Sequence, residues 1–171
     1  EPYRRQRQMC IRDSNCTSDV NAWISLIRDA LERFGVKPDT NKLYTTLFMA
    51  SLEGDKDCGG LLPYGYLSGE NITNVPEGRP LFVRFPESRF TLPNFMKSHL
   101  YTALGALKVG MDILLKEEKV EVDRIYGHGG FFKTACVGQG YLAAAINAPV
   151  TVMKTAGEGG PSVSYTHLRA H

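Results

Sequence analysis

The feature that most constrains this chain is a succession near its end. An alternating run, Val120 to Tyr126, is followed at once by Gly127-His128-Gly129-Gly130. A helical pattern from Val137 to Ile146 comes next and ends before Asn147-Ala148-Pro149. A second short strand pattern, Val150 to Met153, then leads into Thr155-Ala-Gly-Glu-Gly-Gly160. Strand, glycine loop, helix, strand, glycine loop is the order of an α/β lobe, in which ligands bind beyond the carboxyl ends of strands. The expected fold class is therefore α/β, with a candidate site lined by two glycine loops.

The earlier part reads as helices around a short sheet. Val20, Trp23, Ile24, Ile27, Leu31 and Phe34 recur at spacings of three and four, which predicts an amphipathic helix over 19–34. Ser18 or Asp19 is its expected cap and Gly35 its stop. A second helix is expected over Thr40–Leu52, with Leu43, Leu47, Phe48 and Leu52 inward. Gly60–Tyr64 and Pro80–Phe85 are strand candidates, separated by turn-rich sequence. The longest helical signal is 91–115, capped by Thr91 with Pro93 in the first turn. Phe95, Leu100, Leu104, Leu107 and Met111 are its core-facing residues, and Gly105 and Gly110 weaken it locally.

Missing side chains at Gly127, Gly129 and Gly130 allow backbone to approach a ligand, and a following helix start offers unpaired N–H groups to an anion. The pattern is not a P-loop, because no Gly-Lys-Ser/Thr follows, and it lacks the GxGxxG spacing of a dinucleotide fingerprint. Lys133 can meet phosphate oxygens or lie in solvent. Phe131 and Phe132 can stack on a base or pack as core. His128, flanked by glycines, is expected to be accessible; proton transfer is one role and a local structural hydrogen bond the preferred one. The second loop, Gly157, Gly159 and Gly160, carries Glu158, read as a surface carboxylate rather than a metal ligand. Asn15, Thr17, Ser18 and Asp19 are explained by capping, and Trp23, His99 and Tyr101 by packing. No Ser-His-Asp arrangement has a nucleophile-elbow context.

Composition excludes some classes. With 171 residues, 43% hydrophobic and 22% charged, the chain can bury one domain core and is not wholly disordered. It has no apolar run of roughly 18 residues, the length a membrane helix needs. Cys10, Cys16, Cys58 and Cys136 form neither CxxC pairs nor zinc-ligand spacings, so free thiols are expected. The net charge of +2 depends on Arg4, Arg5, Arg7 and Arg12. A basic arm for nucleic acid or membranes is one reading, and it is rejected, so neither partner is expected. The alternative is that the ends are not natural protein: Arg4–Asp13 (RRQRQMCIRD) and Val163–His171 (VSYTHLRAH) both resemble translated transposon-end sequencing adapters. On that reading residues 1–14 and 163–171 are artefactual, and 15–162 is a natural segment cut from a longer gene.

Several stretches resemble the FGGY family of carbohydrate kinases, in its xylulokinase-like branch. They are Asn15–Trp23, Leu52–Glu70, Gly78–Arg84, Tyr126–Thr134 with Val137-Gly-Gln, and Pro149–Gly160. The resemblance implies an incomplete C-terminal lobe of the actin-like ATPase, ribonuclease H-like architecture. It assigns Gly127, Gly129 and Gly130 to the nucleotide site, to which the reading of the residues adds Phe132 and Lys133 as candidates, and it likens Gly157, Gly159 and Gly160 to the loop opening the lobe's closing helix. Asn94, Phe95, Ser98 and Leu100 match a second family signature, whereas Tyr101 stands where many members have Glu. The implied cofactors are ATP and the Mg2+ that accompanies it. The implied parent is a cytoplasmic enzyme that takes a sugar substrate, with homodimerisation open. The family's general-base Asp and its Gly-Thr-Ser phosphate loop fall upstream of Asn15, so no catalytic residue is assigned here.

Two other classes remain beside a kinase fragment that is inactive alone. One is a non-catalytic, actin-like nucleotide-binding or sugar-sensing module. The other is a structural remnant with no ligand. On any of these readings the missing closing helix is expected to leave apolar surface exposed and to promote self-association.

Overall fold

The structure is a computed structural model that describes residues 2–70, 74–118 and 125–152. The elements in chain order are α1 (Pro2–Arg33), α2 (Thr40–Ala50), β1 (Leu62–Tyr64), β2 (Leu81–Val83), α3 (Leu92–Ala103), α4 (Gly105–Asp112), β3 (Ile125–Gly127), α5 (Val137–Ile146) and β4 (Val150–Val152). The chain divides into two compact units, Glu1–Gly110 and Met111–His171.

In the first unit, α1 packs on α3, and α2 packs beside both. The α1 stripe is used as its spacing predicts: Val20 and Ile24 are buried, and Trp23, Ile27 and Leu31 are half-buried. Phe34 falls past the last turn and is 87% exposed. The stop is a left-handed Gly35 (φ 79°), whose N–H bonds to the Glu32 carbonyl while the Val36 N–H bonds to Leu31. The start differs from expectation. Ser18 and Asp19 do not cap α1; they lie inside it, because the helix runs from Pro2.

Helix α2 is capped by Asp39, whose carboxylate accepts the Lys42 N–H at 2.9 Å. Leu43, Leu47 and Phe48 are buried as predicted. Leu52 is not: it lies in a 3-10 turn, Ser51–Glu53, that changes the helical phase and leaves it exposed.

Strands β1 and β2 pair antiparallel, Pro63 opposite Phe82. Alternation turns Pro63 and Phe82 toward the helices and Leu62, Tyr64, Leu81 and Val83 outward. Both strands are shorter than their candidate segments.

Thr91 caps α3 as predicted, accepting the Asn94 N–H at 3.4 Å. The expected single helix over 91–115 breaks at Leu104, whose N–H bonds to Tyr101 and Thr102 in a tightened last turn before Gly105 starts α4. Phe95, Leu100 and Leu104 are buried, but after the break Leu107 is exposed and Met111 half-buried. A π-helical turn, Ile113–Glu117, follows α4.

In the second unit, β3 and β4 pair parallel, Ile125 opposite Val150 and Gly127 opposite Val152, with α5 as the crossover. Helix α5 spans the residues its pattern predicts. It ends on a left-handed Asn147 (φ 52°), two residues before Pro149. Val137, Tyr141, Leu142, Ile146, Phe131 and Val150 form the core here. The Gln139 amide donates to the Val150 carbonyl at 2.6 Å and ties α5 to β4.

Candidate functional site

The second unit places its glycine loop at the carboxyl end of β3. Gly127 is buried, and a Cβ there would sit 2.6 Å from the Phe132 ring. The ring thus folds back over the strand end, and Phe132 packs within the loop rather than projecting as a free stacking face. Gly129 adopts φ 100°, ψ 178°, a conformation essentially confined to glycine. A Cβ added at Gly129 or Gly130 would meet no atom within 4 Å, so both positions present open backbone.

The chain then makes a 3-10 turn, Gly130–Phe132, with the Phe132 N–H on the Gly129 carbonyl and the Lys133 N–H on Gly130. This turn carries the chain from the glycines toward the helix expected at Val137. Helix α5 begins only at Val137, preceded by a left-handed Cys136 whose side chain makes no cap bond. The buried Phe131 takes up the intervening chain: a Cβ on Gly138 would collide with the Phe131 carbonyl, so the first turn of α5 is pressed against the loop. Lys133 is exposed on the turn, consistent with either of its expected roles.

His128 departs from expectation. It is half-buried rather than accessible, and both ring nitrogens are buried without a hydrogen-bond partner among the described residues. A buried polar atom left unpaired costs about 1–3 kcal/mol. The local structural hydrogen bond preferred from sequence is not formed. Gly157, Glu158, Gly159 and Gly160 lie outside the described residues, as do Val120–Arg124 and Met153.

The first unit contains two polar arrangements that local sequence does not signal. The His99 Nδ1–H donates to Asp19 Oδ2 at 3.0 Å, between side chains 2% and 13% exposed. Trp23, Phe82 and Phe95 surround the imidazole, and the Phe82 ring stacks on it at 5.6 Å and 16°. This satisfies the packing role expected of Trp23 and His99 and replaces the capping role given to Asp19. Tyr101, in contrast, is 42% exposed, with the Lys97 ammonium 5.9 Å from its ring centroid. A cavity of about 330 Å3 beside Asp19, Trp23, Leu67 and Phe82 is mostly apolar.

The second arrangement centres on buried Asn94. Its amide donates to Asp55 Oδ2 and to the Arg89 carbonyl, and its Oδ1 accepts the Asp55 N–H at 2.7 Å. Arg89 bridges Asp55 and Asp57, each at 2.8 Å. The Arg89 guanidinium and then the Asn94 amide hold the Asp55 carboxyl below the ordinary carboxylate range. The Gly59 N–H, followed by Arg89, does the same for Asp57. Cys58 and Cys136 are free thiols, and burial pushes the Cys58 thiol up.

Among the described residues no group of three or more His, Cys, Asp or Glu is placed to hold a metal ion, and no helix is long and apolar enough to cross a membrane. The bare backbone at Gly129 and Gly130 leaves room for a ligand to approach the loop.

Comparison with known proteins gives this architecture a class. The model of the C-terminal domain of the FGGY family of carbohydrate kinases matches residues 4–161, and the chain belongs to that family. Among solved structures, xylulose kinase from Rhodospirillum rubrum superposes with a TM-score of 0.60 at 17% identity, over 79% of this chain and 25% of that one. Xylulose kinase from Bifidobacterium adolescentis gives 0.54 at 20% identity, over 77% and 24%. The shared fold is the C-terminal lobe of an actin-like ATPase, present in part. The chain spans about a quarter of the length of these two structures. No curated protein sequence matches it.

Proposed function

We propose that this chain contributes the nucleotide-binding lobe of an ATP-dependent carbohydrate kinase, which transfers the γ-phosphoryl group of ATP to a sugar hydroxyl. The observation that carries the reading is the open backbone at Gly129 and Gly130, at the carboxyl end of a parallel strand. Its support is membership of a carbohydrate kinase family. In phosphoryl transfer the protein positions the reactants and stabilises charge, so a lobe of this kind binds and orients the nucleotide. The Gly127–Gly130 backbone would lie along the phosphates, with Lys133 as a nearby cation and Mg2+ arriving with the nucleotide. The general base and the sugar contacts belong to the rest of the parent, and the chain is inactive alone. The parent is taken as cytoplasmic. Residues 1–14 and 163–171 are proposed to be adapter-derived, which sequencing the source DNA across both ends checks.

Calorimetric titration of the folded 171-residue chain with ADP and ATP tests the reading. Saturable heat supports it, and a folded chain that gives none overturns a nucleotide site in this piece.

A further inference from the structure

Both nitrogens of the His128 ring are buried and unpaired, although the residue as a whole is only half-buried. A neutral imidazole carries one donor and one acceptor, so neither of its hydrogen-bonding capacities is met in the free chain. The ring is attached between Gly127 and Gly129, and the backbone at Gly129 and Gly130 faces open space. Its neighbours Gly127 and Gly129 carry no side chain to block the ring from turning outward, and Lys133 is exposed on the turn that follows. A ligand that pairs a nitrogen in the outward position gains affinity from the difference between the two states.

We propose that His128 is a nucleotide contact that switches on binding: its ring leaves the unpaired, buried position and donates one N–H to a phosphoryl oxygen of the nucleotide. The proposal rests on the nucleotide reading of the loop and adds to it a specific donor and a motion. A residue that only packs the loop loses stability and ligand affinity together when altered. A residue held unpaired in the free state and paired in the bound state moves the two in opposite directions.

The test compares the full chain with H128F and H128Q. H128F keeps a ring but removes both nitrogens, and H128Q keeps a donor. The free H128F chain should melt no lower than wild type, while its ADP affinity falls roughly tenfold. H128Q should retain ADP affinity within about threefold. Adenosine, which lacks phosphates, should bind H128F and wild type equally. Independently of any variant, the imidazole nitrogen resonances of His128 should move on saturation with ADP. If H128F binds ADP as tightly as wild type, or loses stability and affinity together, the switch is overturned while the nucleotide reading stands. Static imidazole resonances in an ADP-saturated chain overturn it too. Absence of ADP binding to wild type removes the nucleotide reading itself.

Discussion

His99 donates a hydrogen bond to Asp19 across 80 residues of sequence, joining the middle of α1 to α3 inside a cage of three aromatic rings. An aspartate inside a helix competes with the backbone and lowers helix propensity. Its presence is explained by the imidazole it meets.

Removing either partner leaves the other buried and unmatched. Asp19→Ala and His99→Ala should each destabilise the first unit by about 1–3 kcal/mol in urea unfolding. The double variant should cost less than the sum of the two, with a coupling of about 0.5–3 kcal/mol. Strict additivity would show that the hydrogen bond contributes no coupling.

The Arg89 bridge predicts a pH dependence. The ordinary carboxylate pKa is 3.8, and both Asp55 and Asp57 are lowered in the folded chain. The unfolded state therefore binds these protons first, so the stabilisation is present above pH 3.8 and is lost as pH falls through the lower folded values. Arg89→Ala should separate from wild type near neutral pH and converge with it on acidification. The bridges are exposed, so added salt should narrow the gap. A gap that widens toward low pH would be the wrong sign.

Three glycines of the second unit should respond differently to alanine. Gly138→Ala meets the Phe131 backbone carbonyl, which cannot step aside, and should cost about 3 kcal/mol. Gly127→Ala meets only the movable Phe132 ring and should cost about 1–2 kcal/mol, with partial recovery in a Phe132→Leu background. Gly129→Ala has space but the wrong φ, and should cost about 1–3 kcal/mol with no recovery from Phe132→Leu. Hydrogen exchange of the α5 amides provides the ranking.

The outward face of β1 and β2 presents Leu62, Tyr64, Leu81 and Val83 to solvent. An apolar face of this kind promotes association. Leu62→Lys and Leu81→Lys should raise the monomeric fraction in sedimentation velocity without lowering the melting temperature. Unchanged association would place the sticky surface elsewhere.

Sequence patterns located elements wherever local signals agreed. Helix α5 was legible to its ends because its apolar run is closed by Asn147 and Pro149, which act on the backbone directly. The start of α1 was not, since Ser18 and Asp19 resemble caps and only the distant His99 reveals what Asp19 does. The break at Leu104 was foreshadowed by Gly105, but a glycine weakens a helix without specifying whether it ends. In the site, the glycines at 127, 129 and 130 were legible as backbone that must lie bare. The 3-10 turn between them and α5 was not, because it depends on Phe131 packing against Gly138. The unpaired state of His128 was hidden for the same reason: hydrogen-bond partners are a property of the fold, and neighbouring glycines say only that a side chain has room.

The packing of α1 on α3 has a consequence for synthesis. Val20 and Ile24 emerge from the ribosome well before the helix that covers them. At about 5–20 residues per second, the 80 residues between Asp19 and His99 take roughly 4–16 seconds to translate. For that interval the apolar stripe of α1 is a nascent surface with no native cover from α3, open to chaperones and to neighbouring chains alike.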